Sequence, residues 1–447
     1  MQKVRIRLVA AVTIILLVGI AGVLQAQFRV RDPGVRAGDK FAGGPLRGLT
    51  TEELAYFTAG LADFAEEEGV GDGLGPRFNL DSCGGCHIHP NLGGTSPAIN
   101  PQVAAATASG ARNRVPSFIN LNGPVREARF QFNPDGTRDG GVHALFVISG
   151  RVDATGNATG CNAVQEDFEK QVANDNIIFR IPTPTFGLGL VEKITDHTIL
   201  DNMAANSSTK RALGISGRAN RNGNDGTITR FGWKAQNKSL TIFSGEAYNV
   251  EMGITNEAFQ TERDENPTCQ FATVPNDVPP TTGNTTDGIS AITKFSFFMR
   301  FLAPPSPAAA TDSINRGRQV FSNIGCALCH TPTLKTGSRA TVAALRNQDV
   351  NLFSDLLLHQ MGPGLADDIV QGGGGPDEFR TAPLWGVGQR IFFLHDGRTT
   401  DLLDAIRAHK SFGDRKFGPS EANGVVDNFS RLGDSDKQNV LNFLRSL

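Results

Sequence analysis

Two copies of Cys-x-x-Cys-His constrain this chain more than anything else in it: Cys83-Gly84-Gly85-Cys86-His87 and Cys326-Ala327-Leu328-Cys329-His330. That spacing is the attachment signature of c-type haem. Cysteines three apart can each form a thioether to one porphyrin edge, and the histidine that follows then lies under the iron as its proximal ligand. The competing use of such residues is a zinc knuckle. A closed zinc site takes four ligands, and a His that directly follows its Cys is awkward for that geometry. The chain is therefore expected to carry two covalently bound haem c groups, held through Cys83, Cys86, Cys326 and Cys329, with His87 and His330 as iron ligands.

The chain is 447 residues long, enough for about two to three domains. Lys and Arg number 43 against 45 Asp and Glu, a net charge of −2 with no basic run, which argues against nucleic acid as a partner. Lys3, Arg5 and Arg7 precede an apolar stretch from Leu8 to Leu24, broken only by Thr13, and Ala26 offers a cleavage point. Residues 1–26 read as a secretory signal peptide. The apolar run is near the ~17-residue lower limit of a membrane span, so an uncleaved anchor is the alternative. Either way the mature domain is expected in the periplasm. Four of the six cysteines belong to the two motifs. The other two, Cys161 and Cys269, are expected to form a disulfide in an oxidising compartment, free thiols being the alternative.

A Gly/Pro-rich segment, Arg31 to Leu49, leads into a predicted helix over about Thr50–Glu67. Thr50 and Glu53 make a capping box, and Leu54, Phe57, Leu61 and Phe64 repeat at helical spacing. The first motif follows, then a Gly/Pro/Asn loop from His89 to Asn100. Val142–Val152 and Asn176–Ile181 read as short β-rich runs, and Thr261–Asp287 as polar loop. A helix over about Ile289–Leu302 stops at Pro304-Pro305, and 304–310 is the predicted linker. Beyond it the chain resembles a small class I cytochrome c. Thr311 or Asp312 caps a helix with Ile314, Gly317, Val320 and Phe321 that runs into Cys326, and Asp434–Leu447 carries Val440, Leu441 and Leu444 on one face. In that fold the first and last helices cross, Gly317 meeting an aromatic such as Phe443. The predicted fold class is mainly α. Two cytochrome c-like haem domains, 27–303 and 311–447, are expected, with irregular, β-rich insertions in the first at about 121–230 and 258–288.

Longer patterns carry a resemblance. Phe379-Arg380-Thr381-Ala382-Pro383-Leu384-Trp385 with Leu394-His395-Asp396-Gly397 looks like the C-terminal signature of bacterial di-haem cytochrome c peroxidases. Asn249-Val250-Glu251-Met252-Gly253 looks like their distal-glutamate motif, and Arg114 to Asn120 matches in kind. Across nearly the whole mature chain the closer resemblance is to the related di-haem oxidoreductase family of peroxidase type, sometimes labelled thiol oxidoreductases. Its patterns stand here as Phe78-Asn79, Phe186-Gly187-Leu188-Gly189-Leu190-Val191-Glu192, Phe231-Gly232-Trp233-Lys234-Ala235 and Asp355-Leu356-Leu357-Leu358-His359-Gln360-Met361-Gly362.

The resemblance implies roles by position. Glu251 falls on the distal acid–base glutamate: peroxide loses a proton from one oxygen and gains it on the other as the O–O bond breaks, and one carboxylate within reach can shuttle it. The alternative for Glu251 is a helix glutamate capping its own amides. Glu192, beside a Gly-rich turn, is a second candidate with a structural reading preferred. Trp233 falls on the peroxidases' inter-haem tryptophan, where an indole bridges electron transfer or only packs. The ligand that follows the His-Asp-Gly motif is usually methionine in the peroxidases and tyrosine in relatives that mature methylamine dehydrogenase. Here that position is His409, with His359 and Met361 as rivals and a solvated helix-end histidine as the plain alternative. A bis-histidine iron has a lower potential than His/Met. No histidine occurs between His89 and His143, so the first haem is expected to be open on its distal side. A calcium ion between the domains is also implied, with Asn120 and Thr381 the nearest matches. The disulfide would join the two inserts and shape the rim of the first pocket.

The leading expectation is a periplasmic di-haem c-type oxidoreductase. It reduces hydrogen peroxide at the first haem with electrons relayed through the second from a small cytochrome c or cupredoxin. Two alternatives are a maturation-type oxidase acting on a protein or thiol substrate, and a non-catalytic di-haem electron carrier. The resemblance admits a homodimer, which no residue demonstrates.

Overall fold

The structure is a computed structural model that describes residues 29–38, 42–108, 113–148, 161–264, 266–270, 275–280 and 286–447. The expected signal peptide lies outside the described residues. Among them, no helix is long and apolar enough to cross a membrane. Helix outweighs strand, 34% to 11%, so helices build the frame and short strands trim it.

The helices that bear the site are labelled in chain order: α1 (Thr51–Ala65), α2 (Cys83–Cys86), α3 (Leu240–Met252), α4 (Ala291–Phe301), α5 (Asp312–Asn323), α6 (Leu402–Ala408) and α7 (Asp434–Ser446). The start of α1 is set as its sequence requires. Thr50 accepts from the Glu53 amide while the Glu53 carboxylate accepts from the Thr50 amide, which satisfies two otherwise orphaned donors. Thr311 caps α5 by accepting from the Ile314 amide.

Both halves of the molecule use one device. In the C-terminal half α5 and α7 cross at Gly317, where a Cβ would strike the Asn439 carbonyl and Phe443. In the N-terminal half α1 and α4 cross at Gly60, where a Cβ would strike the Lys294 carbonyl and Phe298. The periodicity of α1 did not single out Gly60, because a lone glycine among apolar residues has no period of its own. A mid-helix glycine costs about 0.5–1 kcal/mol. Phe298 and Phe443, both 0% exposed, each return about 1.5–3 kcal/mol on burial, so close packing wins. An aromatic at the end of each first helix then reaches the motif histidine. The Phe64 ring lies 6.0 Å from that of His87 and the Phe321 ring 6.3 Å from that of His330.

The predicted linker 304–310 is extended, but the cores are not divided there. Leu334, Leu345, Val350, Leu352, Leu356, Leu357 and Trp385 pack into the first core, while α5, α6 and α7 enclose the second.

Strands form mainly in the long insertion of the first half. β1 (Arg77–Phe78) pairs antiparallel with β4 (Phe146–Val147). β2 (Glu127–Phe130) pairs on one side with β3 (Val142–His143) and on the other with β5 (Ile177–Arg180), Ala128 facing both His143 and Phe179. The β-rich expectation for Val142–Val152 is met only at 142–143 and 146–147, and its end lies outside the described residues. Side chains alternate along β2. Ala128 and Phe130 enter the first core, so Glu127 and Arg129 are turned to the opposite face. Cys161 and Cys269 form a disulfide, with Val147 and Ala163 packed around it.

Candidate active site

Each Cys-x-x-Cys-His motif opens onto its own cavity, about 300 Å³ at the first and about 230 Å³ at the second. The backbone turns alike at both. The His87 amide donates to the Cys83 carbonyl at 3.0 Å, and the His330 amide to that of Cys326 at 2.9 Å. Both cysteines and the histidine of each motif thereby face one space.

The eight histidines sort by what their ring nitrogens touch. A carbonyl can only accept, so a ring nitrogen bonded to one carries the proton. His87 Nδ1 donates to the Gly94 carbonyl at 2.9 Å, His330 Nδ1 to that of Phe353 at 3.1 Å, and His409 Nδ1 to that of Ala405 at 2.7 Å. In all three, Nε2 keeps its lone pair and has no hydrogen-bond partner among the described residues. That is the tautomer and orientation of a metal-ligating imidazole. Burial lowers the pKa of all three; His330 falls to about 4, with His409 across the cavity adding to the effect. Of the other five, His395 has no ring hydrogen bond among the described residues, and four are engaged by neighbours. His359 is clasped between Glu421 at 2.7 Å and Asp355 at 3.0 Å. His143 lies between Glu166 and Asp139, His89 bonds the Gln389 carbonyl, and His197 pairs with Asp201 on the surface.

His330, His359, Met361 and His409 all line the second cavity. Of the three candidates for the position facing His330, His409 has a free Nε2, His359 has both nitrogens taken by carboxylates, and Met361 lines the wall. Cys329, Asp355 and His359 place one potential ligand atom each within a metal-sized cluster. Cys329 belongs to the second motif, however, and His359 is already ion-paired.

The first cavity differs. His87 is the only histidine among the described residues that line it. Its wall includes Glu251 from α3, Glu127 and Arg129 from β2, and Arg126, Arg180 and Arg263. The Asn79 amide donates to Glu251 Oε2 at 2.7 Å, and Asn79 is itself fixed by the Leu145 amide at 2.8 Å. Glu127 accepts from Arg129 Nε at 2.6 Å and shares the cavity wall with Glu251, on whose charge it acts. Burial, and then the charge of Glu127, push Glu251 well above the usual carboxylate range. Burial is the largest single influence on Glu127 and raises it, but its neighbours, Arg129 foremost and then Arg180, together outweigh it and hold that carboxyl low. Sequence reasoning passed over Glu127 because it lies in a region read as an insertion. The available signal was period-two alternation in Glu-Ala-Arg-Phe, which separates the acid and base from the core face.

Trp233 lines both cavities. Its Nε1–H donates to the Ile181 carbonyl at 3.0 Å, and the Ile181 amide donates to the His395 carbonyl at 2.8 Å. The buried His395 ring stacks on Phe379 at 4.4 Å and meets Trp233 edge-on at 6.4 Å. Glu192 lines neither cavity; it pairs with Arg300 at 2.9 Å and Lys193 at 3.0 Å, a structural role. Asn120 is exposed in its loop, and Thr381 is in the wall of the second cavity with its carbonyl bonded by Ser354 and Arg380. No contact among the described residues joins them. Arg263 of the second insertion lines the first cavity, and its guanidinium donates to the Val142 carbonyl.

Buried donors without partners test whether these cavities suit haem. Arg126 Nε and Arg180 Nε in the first cavity, Arg390 Nε in the second and the adjacent Gln389 amide are buried with no hydrogen-bond partner among the described residues. Burial alone lowers Arg390 to about 10, with no carboxylate nearby to offset it. Arg180 is paired with Asp367 through another nitrogen and Arg126 bonds the Phe118 carbonyl, but a buried guanidinium Nε left without an acceptor is costly unless an anion completes it. Haem propionates supply that anion, and the apolar walls suit the macrocycle.

The comparisons agree with the site. Residues 127–447 match the family described as "Di-haem oxidoreductase, putative peroxidase". The chain belongs to this di-haem oxidoreductase family, whose cofactors are haem. No curated protein matches it. Among solved structures, a MauG-like protein associated with microbial copper homeostasis aligns at 15% identity and a TM-score of 0.28, over 60% of this chain and 90% of that one. Kuenenia stuttgartiensis hydrazine synthase aligns at 18% identity and a TM-score of 0.23, over 35% of this chain and 55% of that one. The chain thus spans about half of the hydrazine synthase chain. Superpositions this loose carry no argument about function.

Proposed function

We propose that the protein is a periplasmic di-haem c-type oxidoreductase that reduces hydrogen peroxide at the first site with electrons relayed through the second. What supports this is an asymmetry. The second cavity offers two imidazoles, His330 and His409, each held through Nδ1 by a backbone carbonyl with Nε2 left over, whereas the first offers one such imidazole, His87, and a carboxyl group, Glu251. An iron closed by two strong ligands passes electrons, and one with a vacant face can bind a small oxidant.

Haem, attached through Cys83 and Cys86 at the first site and Cys326 and Cys329 at the second, supplies one-electron redox chemistry. The chain's part is binding, orientation and proton transfer. His87, His330 and His409 are held as Nδ1–H tautomers by backbone carbonyls and present Nε2 as the ligand atom. Glu251, oriented by Asn79, carries the proton between the two oxygens of peroxide. Trp233, common to both cavity walls, provides the aromatic path between the sites. Electrons come from a small exported carrier such as a cytochrome c or cupredoxin.

Glu251→Gln is expected to lower peroxide turnover by roughly 10²–10⁴-fold, the usual contribution of a general acid–base, with both haems still bound. Full turnover by that variant, at unchanged haem content, would sink the reading.

A further inference from the structure

Glu127 has no part in the reading above, yet its carboxyl group stands in the same cavity wall as that of Glu251, close enough for each to act on the other's charge. Both line the first cavity. A carboxylate has acceptors only, so two of them cannot bond without a hydrogen between. Two like charges side by side also disfavour each other's ionised form when both are buried. The donors around the pair are unequal. Arg129, a full positive charge, bonds Glu127; Asn79, a neutral amide, bonds Glu251. Arg180, opposite Glu127 on β5, acts on Glu127, Glu246 of α3 acts on Arg129, and Arg126 and Arg263 line the same cavity.

We infer that Glu127 is the second half of the acid–base site: the two carboxyl groups hold one proton between them, carried at rest by Glu251, while Glu127 stays anionic against Arg129. This rests on the peroxidase reading and changes its chemistry. A lone ionised Glu251 would start as a base. The pair starts with one proton loaded and one protonation site vacant. It takes the proton that peroxide loses from one oxygen and gives a proton to the other as the O–O bond breaks, so the first water leaves and the pair is unchanged. Two electrons from the donor and two protons from solvent complete the second water.

The test is an infrared pH titration of the holoprotein, which needs no turnover. A carboxylic-acid carbonyl band that shifts in D₂O and vanishes in Glu251→Gln reports the proton on Glu251. In Glu127→Gln the like charge is gone, and the midpoint of that band should fall by about one pH unit or more. Arg129→Gln leaves both carboxyls but removes the cation, and the midpoint should rise or a second band appear. An unmoved midpoint in whichever of these variants folds overturns the pair. If the band behaves as stated while Glu251→Gln reduces peroxide normally, the pair stands and the peroxidase reading falls. If turnover collapses but the midpoint stays put, the reading stands and the pair falls.

Discussion

The two cavities share a frame and differ in what stands opposite the motif histidine. Each begins with a helix that crosses a partner at a glycine, Gly60 or Gly317, and ends in a phenylalanine set against the histidine, Phe64 or Phe321. Each histidine is aimed by a backbone carbonyl. From there they diverge. In the C-terminal half the short helix α6 delivers His409 into the cavity. In the N-terminal half an irregular, strand-bearing insertion delivers Glu127, Arg126, Arg129 and Arg180. A compact helical frame leaves room for one more ligand, whereas an added layer lets charged side chains reach the cavity while Ala128 and Phe130 stay in the core. The frame is what the two cavities share, and the insertion is what makes them differ.

The largest test of this contrast is His409→Ala. In the ferric holoprotein, low-temperature EPR should show one high-spin and one low-spin signal, and in the variant the low-spin signal should convert to high-spin. A low-spin signal that persists hands the ligand role to Met361 and makes the second site a His/Met centre. A wild type with two low-spin signals would erase the difference between the cavities.

A smaller effect is expected at their shared wall. Trp233→Phe keeps a ring in place but removes the larger indole and its bond to Ile181. Electron transfer between the sites, followed by stopped flow after rapid reduction of the second, should slow roughly tenfold, about 1.4 kcal/mol in barrier. An unchanged rate would mean that the indole only packs.

The smallest effect concerns charge in the second cavity. Burial is the largest single influence on Glu421 and raises it, but the bond to His359, the His359 charge and the bonds from Ser216 together outweigh it and lower the carboxyl to about 2. Its folded pKa lies below its unfolded one, so the stability it contributes is present above the ordinary carboxylate value, about 4.3. That stability is lost as pH falls through about 2. Glu421→Gln should cost about 1–3 kcal/mol in urea unfolding at pH 6, and the gap to wild type should close between about pH 4 and 2. A gap that does not depend on pH would show that the clasp acts by shape and not by charge.

Much of the site could be read from the chain because it is local. Cys-x-x-Cys-His is a contiguous motif whose geometry follows from one turn of backbone. The capping box of α1 and the cap of α5 depend on residues three apart. The Gly317–Phe443 crossing was legible because a cytochrome c-like pattern brackets it. Its counterpart at Gly60 was not, since the partner helix lies more than two hundred residues away, past both insertions. Glu251 could be placed by its motif, but its bond to Asn79 and its place in one wall with Glu127 join segments remote in sequence.

The sequence by itself determined what contiguous residues carry: two Cys-x-x-Cys-His motifs, a leftover pair of cysteines that close as Cys161–Cys269, and the helix starts. Only the tertiary structure decided which of the remaining histidines keeps a free Nε2, that Trp233 belongs to both cavities, and that a carboxyl from β2 meets one from α3. The physical reason is range. Covalent spacing and capping act over three or four residues, whereas ligation, proton sharing and charge compensation depend on which distant groups are buried together.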